Sequence, residues 1–229
     1  MTQTEKHIWL IDTIRRGKDV EKAVQIFFEE KVKPFYGQYA TAFADNGTPL
    51  LYYVFQTEKY YYNPDLLIVG INPGSNFYGE PQLAQKSNYY ITGNDAWAAC
   101  LRSAFGHGEN EYLSSIFENC VGTNRVFLNT RRERDLEKKI LPKAQGLLEE
   151  LIQILQPKHI VALGMSPFNA LRGKSKVELR KDLNFKLSNH KGVPLAYIPN
   201  PSGCCRRYYT VDKLCAWQNV LEKFMRDEL

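Results

Sequence analysis

The chain is poor in the features that mark membrane, secreted and metal-bound proteins. No apolar run exceeds about six residues, far short of the ~18 needed to cross a bilayer, so no membrane partner is expected. The cysteines Cys100, Cys120, Cys204, Cys205 and Cys215 are few and irregularly spaced and form no C-x-x-C pair. That argues against a disulfide framework and for a reducing compartment. The vicinal Cys204 and Cys205 lack a flanking histidine to activate them. The histidines (His7, His107, His159, His190) show no H-x-x-x-H spacing, and no metal site is expected. Charged residues interrupt the first thirty positions, where a secretory leader would need an apolar stretch, so a cytoplasmic location is the expectation. Repeats, low-complexity tracts and Pro/Gly/Ser-rich linkers are missing. One domain over 1–229 is therefore predicted, with 1–60 as an N-terminal helical extension packed on it.

What is present is a basic C-terminal quarter and an alternating pattern of elements. The formal net charge is +5, but residues 171–229 hold twelve Lys/Arg against six Asp/Glu, leaving eighteen against nineteen before them. Such asymmetry suits a polyanionic partner, because neutralised phosphates release counterions. Helical spacing appears at 4–16 and 18–33, the second run stopping near Pro34. The aromatic-rich stretch 36–63 reads as loop and irregular strand over the core. Short apolar runs at Leu66–Gly70, Val126–Leu128, Ile160–Gly164 and Leu195–Ile198 read as buried strands. Amphipathic stretches at about 94–105, 135–155, 166–172 and 210–227 lie between and after them. This alternation predicts an α/β fold, a three-layer α/β/α sandwich around a central, mainly parallel four-stranded sheet. Trp97 and Trp217 sit on apolar helix faces and are expected in the core.

In an open parallel sheet the ligand crevice lies beyond the carboxyl ends of the strands. The residues there are Gly70-Ile71-Asn72-Pro73-Gly74-Ser75, Asn129-Thr130, Gly164-Met165-Ser166-Pro167 and Pro199-Asn200-Pro201-Ser202-Gly203. An asparagine amide offers an acceptor and two donors, so a set of them can hold a water and read the amide-like edge of a pyrimidine without charge. Gly and Pro let backbone come close to a ligand, and free N–H groups beside them can take phosphate oxygens. The same sequences also make ordinary turns.

Taken together, Gly70-Ile71-Asn72-Pro73-Gly74 and, some 130 residues later, Asn200-Pro201-Ser202-Gly203 resemble the two signature motifs of the uracil-DNA glycosylase superfamily. The likeness is closest to its mismatch-specific uracil/thymine-DNA glycosylase branch and is anchored over residues 64–207. The resemblance implies that Asn72 holds a water against the anomeric carbon of a flipped nucleotide. It implies that Asn200 acts at the second catalytic position. Gly70, Ile71, Pro73, Gly74 and an aromatic, Phe77 by proximity with Tyr78, Tyr89 and Tyr90 as rivals, would enclose the base, and Asn129 would either read its edge or cap the segment beginning Thr130-Arg131. Ser75, Ser202, Gly203, Arg206 and Arg207 would contact DNA. Arg131, Arg132 and Arg134 are read first as a solvated face.

Three departures accompany the resemblance. The carboxylate of the uracil-specific branch is replaced by Asn72. The histidine of related second motifs is replaced by Asn200, which cannot become cationic. The apolar wedge after the second motif gives way to Cys204-Cys205-Arg206-Arg207. The expected reaction is metal-independent, cofactor-free hydrolysis of the N-glycosidic bond of uracil or a related damaged or mismatched pyrimidine, by a monomer, in single- or double-stranded DNA. The alternative is a binding module of the same fold with little or no catalysis. A nucleotide enzyme of the Rossmann kind is disfavoured because G-x-G-x-x-G and a P-loop lysine are missing.

Overall fold

The computed structural model describes residues 19–42, 45, 47–73, 77–130, 140–202 and 207–229. The helix expected over 4–16 lies outside them, as do Arg131, Arg132 and Arg134. Eight strands form one sheet: β1 (Tyr53–Phe55), β2 (Leu66–Gly70), β3 (Gln82–Ala84), β4 (Val121–Asn124), β5 (His159–Leu163), β6 (Glu178–Arg180), β7 (Phe185–His190) and β8 (Val193–Ile198). Their order is β3-β1-β4-β2-β5-β8-β7-β6. The central four, β4-β2-β5-β8, are parallel throughout. The outer strands add antiparallel pairs, β1 with β4 on one side and β8-β7-β6 on the other.

The expected four-stranded sheet is therefore corrected to eight. The extra strands were hard to read because they are short, and β6 and β7 carry Lys, Arg, Glu and Asn at alternate, partly exposed positions. β6 forms this edge of the sheet, where charge deters further pairing, and β7 joins it to β8.

Alternation along β2 sorts the core into two faces. Leu67 and Val69 face the π-helical turn Phe28–Val32 and helices α1 (Val20–Phe27), α2 (Lys33–Ala42) and α6 (Ile140–Leu155). Leu66 and Ile68 face helices α4 (Ala96–Ala104), α5 (Glu111–Glu118) and α8 (Val211–Met225). The two remaining helices are α3 (Tyr89–Thr92) and α7 (Met165–Arg172).

Two expected boundaries move, each for a local reason. The helical run does not stop near Pro34. It passes through the π-helical turn, in which the Lys33 N–H reaches back five residues to the Phe28 carbonyl, and continues to Ala42. The wider π-helical turn before Pro34 makes room for a ring and a missing N–H that an ordinary α-helical turn would not tolerate.

The strand expected at Val126–Leu128 is instead β4, five residues earlier. Val-Gly-Thr-Asn has one strong apolar residue, so its burial comes from neighbours. The Tyr90 ring covers Gly122, where a Cβ would come within 2.5 Å of it, and the Thr123 hydroxyl donates to the Val54 carbonyl at 2.7 Å. After Asn124 the chain stays against the end of β2 for two residues, the Arg125 N–H donating to the Gly70 carbonyl at 2.8 Å and the Val126 N–H to the Ile71 carbonyl at 3.0 Å. Residues 127–129 then run beside 51–53, the Tyr53 N–H donating to Phe127 and the Asn129 N–H to Leu51.

Candidate functional site

Taken in chain order, the four parallel strands β2, β4, β5 and β8 lie in the spatial order 2-1-3-4. The chain leaves β2 toward one side for β4 and then crosses to the other side for β5. Such a reversal opens a crevice at the carboxyl ends of the strands. Four segments meet there.

Glycine permits the closest approaches. Gly70 pairs in register with Asn124, and a side chain at position 70 would overlap the Asn124 amide oxygen. Gly164, at the end of β5, has φ +99°, a left-handed conformation that L side chains rarely adopt. A Cβ there would lie 3.5 Å from both the Ile71 Cδ1 and the Asn200 Cβ. The first and last strand ends therefore pack against the same point, and residues 71 and 200 become neighbours.

Asn72 is half-buried, and its Nδ2 donates to the Thr130 carbonyl and, at 2.8 Å, to the Thr130 hydroxyl. A carbonyl only accepts, so the amide must turn its nitrogen that way. Its oxygen is left to accept from a water. Asn129, next to Thr130, is fully buried, and neither of its amide atoms has a hydrogen-bond partner. A buried amide without partners loses its hydration for nothing, a cost of about 1–3 kcal/mol unless a ligand or water supplies the bonds. Phe77 is 57% exposed. Its carbonyl accepts from the Leu51 N–H at 2.7 Å, while the Leu51 carbonyl accepts from Asn129 on the other side, so Phe77 and Asn129 flank one residue.

Asn200 is half-buried, and the Trp97 indole donates to its Oδ1 at 2.7 Å. Trp97 is half-buried and packs against the core cluster that holds Trp217, with its indole N–H turned out to Asn200, and Trp217 is fully buried as expected. The segment carrying Trp97 is tied down on several sides. Asp95 caps α4 by accepting from the Ala98 N–H at 2.9 Å, and it also accepts from the Tyr89 hydroxyl. The Arg102 guanidinium donates to the carbonyls of Tyr90, Ile91 and Gly93. Partial burial and the neighbouring Asp95 carboxylate push the Tyr89 phenol up to about 12. Burial alone would raise Asp95, but bonds from Tyr89 and from the Ala98 and Trp97 N–H groups outweigh it and lower its pKa.

The remaining expected residues are distributed as follows. Pro73 follows Asn72 and is half-buried. Ser202 is exposed, with its N–H donating to the Asn200 carbonyl at 2.7 Å, and Arg207 is exposed against the Tyr208 ring. Tyr90 is 1% exposed under the sheet and is ruled out as a stacking partner. Gly74, Ser75, Gly203 and Arg206 lie outside the described residues, as do Cys204 and Cys205. Trp97 and Asn124 were not expected at the crevice, and Thr130 and Gly164, expected there as strand-end residues, were given no role. Only Gly164, the glycine closing an apolar run before a helix, carried a readable signal.

His107, His159 and His190 all lie away from this edge. His107 faces Glu118, His159 faces Asp227 at the amino end of β5, and His190 faces the Leu171 carbonyl. Among the described residues, neutral amides and hydroxyls dominate the crevice, with Arg125 at its side donating to the Ser166 hydroxyl at 2.6 Å and Lys186 reaching Met165. Such a set can orient water and hold a planar polar ring but supplies no strong base. No model of a known protein family matches the chain, and no characterised protein matches it in sequence.

Proposed function

We propose that this protein is a DNA glycosylase of the uracil-DNA glycosylase kind, hydrolysing the N-glycosidic bond of uracil or a related damaged or mismatched pyrimidine. The observation that carries this reading is the convergence, at one edge of a parallel sheet, of Asn72 and Asn200 from the two motifs beside the unpartnered buried amide of Asn129. Asn129 is sealed from solvent, so an extruded base would pair with its amide only after the packing over it opens, whereas Phe77 is exposed enough to stack on such a base. The glycosidic electron pair leaves with the base, an oxocarbenium ion forms at the sugar, and the water held by the Asn72 oxygen adds to it. The water's proton passes to solvent. Asparagine cannot pull that proton, so bond breaking leads and water addition follows.

The test is an end-labelled oligonucleotide with one uracil, incubated with the protein and then treated with hot alkali. Scission at the uracil is expected, and Asn72→Ala should slow it roughly a hundredfold, as removal of a positioned polar group does elsewhere. Binding without scission would instead favour a recognition module of the same architecture. The observation on that side is that the hydrogen bonds of the Asn72 amide go to the Thr130 carbonyl and hydroxyl, neither of them a base.

A further inference from the structure

The two motif asparagines are held in opposite senses, and the partner that fixes the second comes from neither motif. Indole nitrogen is a donor only, so the Trp97 bond at 2.7 Å obliges Asn200 to turn its oxygen toward Trp97. The Nδ2 of Asn200 must then face the other way, and among the described residues nothing accepts from it. Asn200 is half-buried and lies against Gly164 and Ile71, so those hydrogens are at the crevice. Asn72 is the mirror case, its nitrogen engaged by Thr130 and its oxygen unengaged.

We infer that Trp97 is a positioning residue that locks Asn200 as a pure hydrogen-bond donor, so that the site selects a base bearing a carbonyl oxygen and stabilises the charge that oxygen gains on departure. The inference rests on the reading of the site as a glycosylase centre. An amide free to flip would offer its oxygen half the time and repel an anionic carbonyl. A locked one presents its donors before the reaction begins, which is where electrostatic preorganisation has its effect. A fixed dipole thus takes over part of what a cationic side chain would do at position 200. The lock is rigid because Trp97 is itself held. Its ring lies 6.1 Å from that of Tyr89 and 5.8 Å from that of Tyr90, and Asp95 caps the helix it begins.

The experiment compares wild type, Trp97→Phe, Asn200→Ala and the double variant under single turnover, on one oligonucleotide carrying either uracil or the better leaving group 5-fluorouracil. Trp97→Phe keeps an aromatic ring and removes the donor. It should slow uracil excision about tenfold and 5-fluorouracil excision about twofold, because the more acidic base needs less help. Thermal midpoints should match wild type, and the double variant should be no slower than Asn200→Ala. Equal slowing of both bases, unchanged rates in Trp97→Phe, or additive losses in the double variant would overturn the inference while leaving the glycosylase reading intact. If wild type excises neither base, the glycosylase reading itself fails. The lock is then judged by affinity for an oligonucleotide carrying uncleavable 2′-fluoroarabinouridine. Weaker binding by Trp97→Phe, with no further loss in the double variant, would support it, and equal binding would overturn it.

Discussion

The neighbours of Asn72 explain why an amide rather than a carboxylate fits this position. Both the Thr130 carbonyl and hydroxyl stand within reach of Nδ2. A carboxylate at position 72 would set an oxygen against the Thr130 carbonyl, which only accepts, and would keep at most a bond donated by the Thr130 hydroxyl. Asn72→Asp should therefore lose excision activity at neutral pH rather than gain it, and should recover part of it as the pH falls and the carboxyl keeps a proton to donate to Thr130. A pH–rate profile of the variant checks this, and faster excision at neutral pH would contradict it. Gly70 makes a second residue-scale case. Because a side chain there overlaps the Asn124 amide, Gly70→Ala should cost about 1–3 kcal/mol in urea denaturation and slow excision by displacing β4 from the end of β2.

The short helix α3 and the start of α4 behave as one element. Asp95 joins them, accepting from the Tyr89 hydroxyl and from the Ala98 N–H. Because its pKa is lowered in the fold, its charged form stabilises the element above the ordinary carboxylate range, and that contribution is lost as the pH falls through the lowered value. Asp95→Asn keeps an acceptor for the cap and removes the charge. The difference in thermal midpoint between wild type and Asp95→Asn should be greatest at neutral pH and shrink to nothing in strong acid. A difference that persists unchanged in acid would show that the charge has no such role. Tyr89, raised to about 12, stays a donor throughout this range.

At the scale of the whole molecule, Lys186 brings positive charge from the basic C-terminal quarter to the strand-end crevice. Lys186, on β7 opposite Tyr197, extends its ammonium over the Tyr197 ring toward Met165, at the first turn of α7. A DNA ligand crossing this edge would neutralise several phosphates. The observed affinity for an uncleavable uracil oligonucleotide should fall as salt rises, with a slope near −0.7 per phosphate for a single strand and near −0.9 for a duplex. A flat salt response would argue for a free nucleotide as ligand. Among the described residues no helix is long and apolar enough to cross a membrane.

Much of this architecture was written in apolar runs and turn residues. Leu66–Gly70, His159–Leu163 and Val193–Ile198 are strands within two residues of expectation, because a strand covered on both faces must be apolar along its length. The two Asn-Pro turns could be placed at strand ends for the same reason. Strand β4 could not be read, since Val-Gly-Thr-Asn owes its burial to Tyr90 and Val54 rather than to its own side chains. Nor could the orientation of the site amides. Thr130 lies 58 residues from Asn72, and Trp97 lies 103 from Asn200. Local sequence determines which backbone can bend and which side chains seek the core. Which way an amide turns depends on the single donor or acceptor beside it, and only the packing of distant segments brings that partner into place.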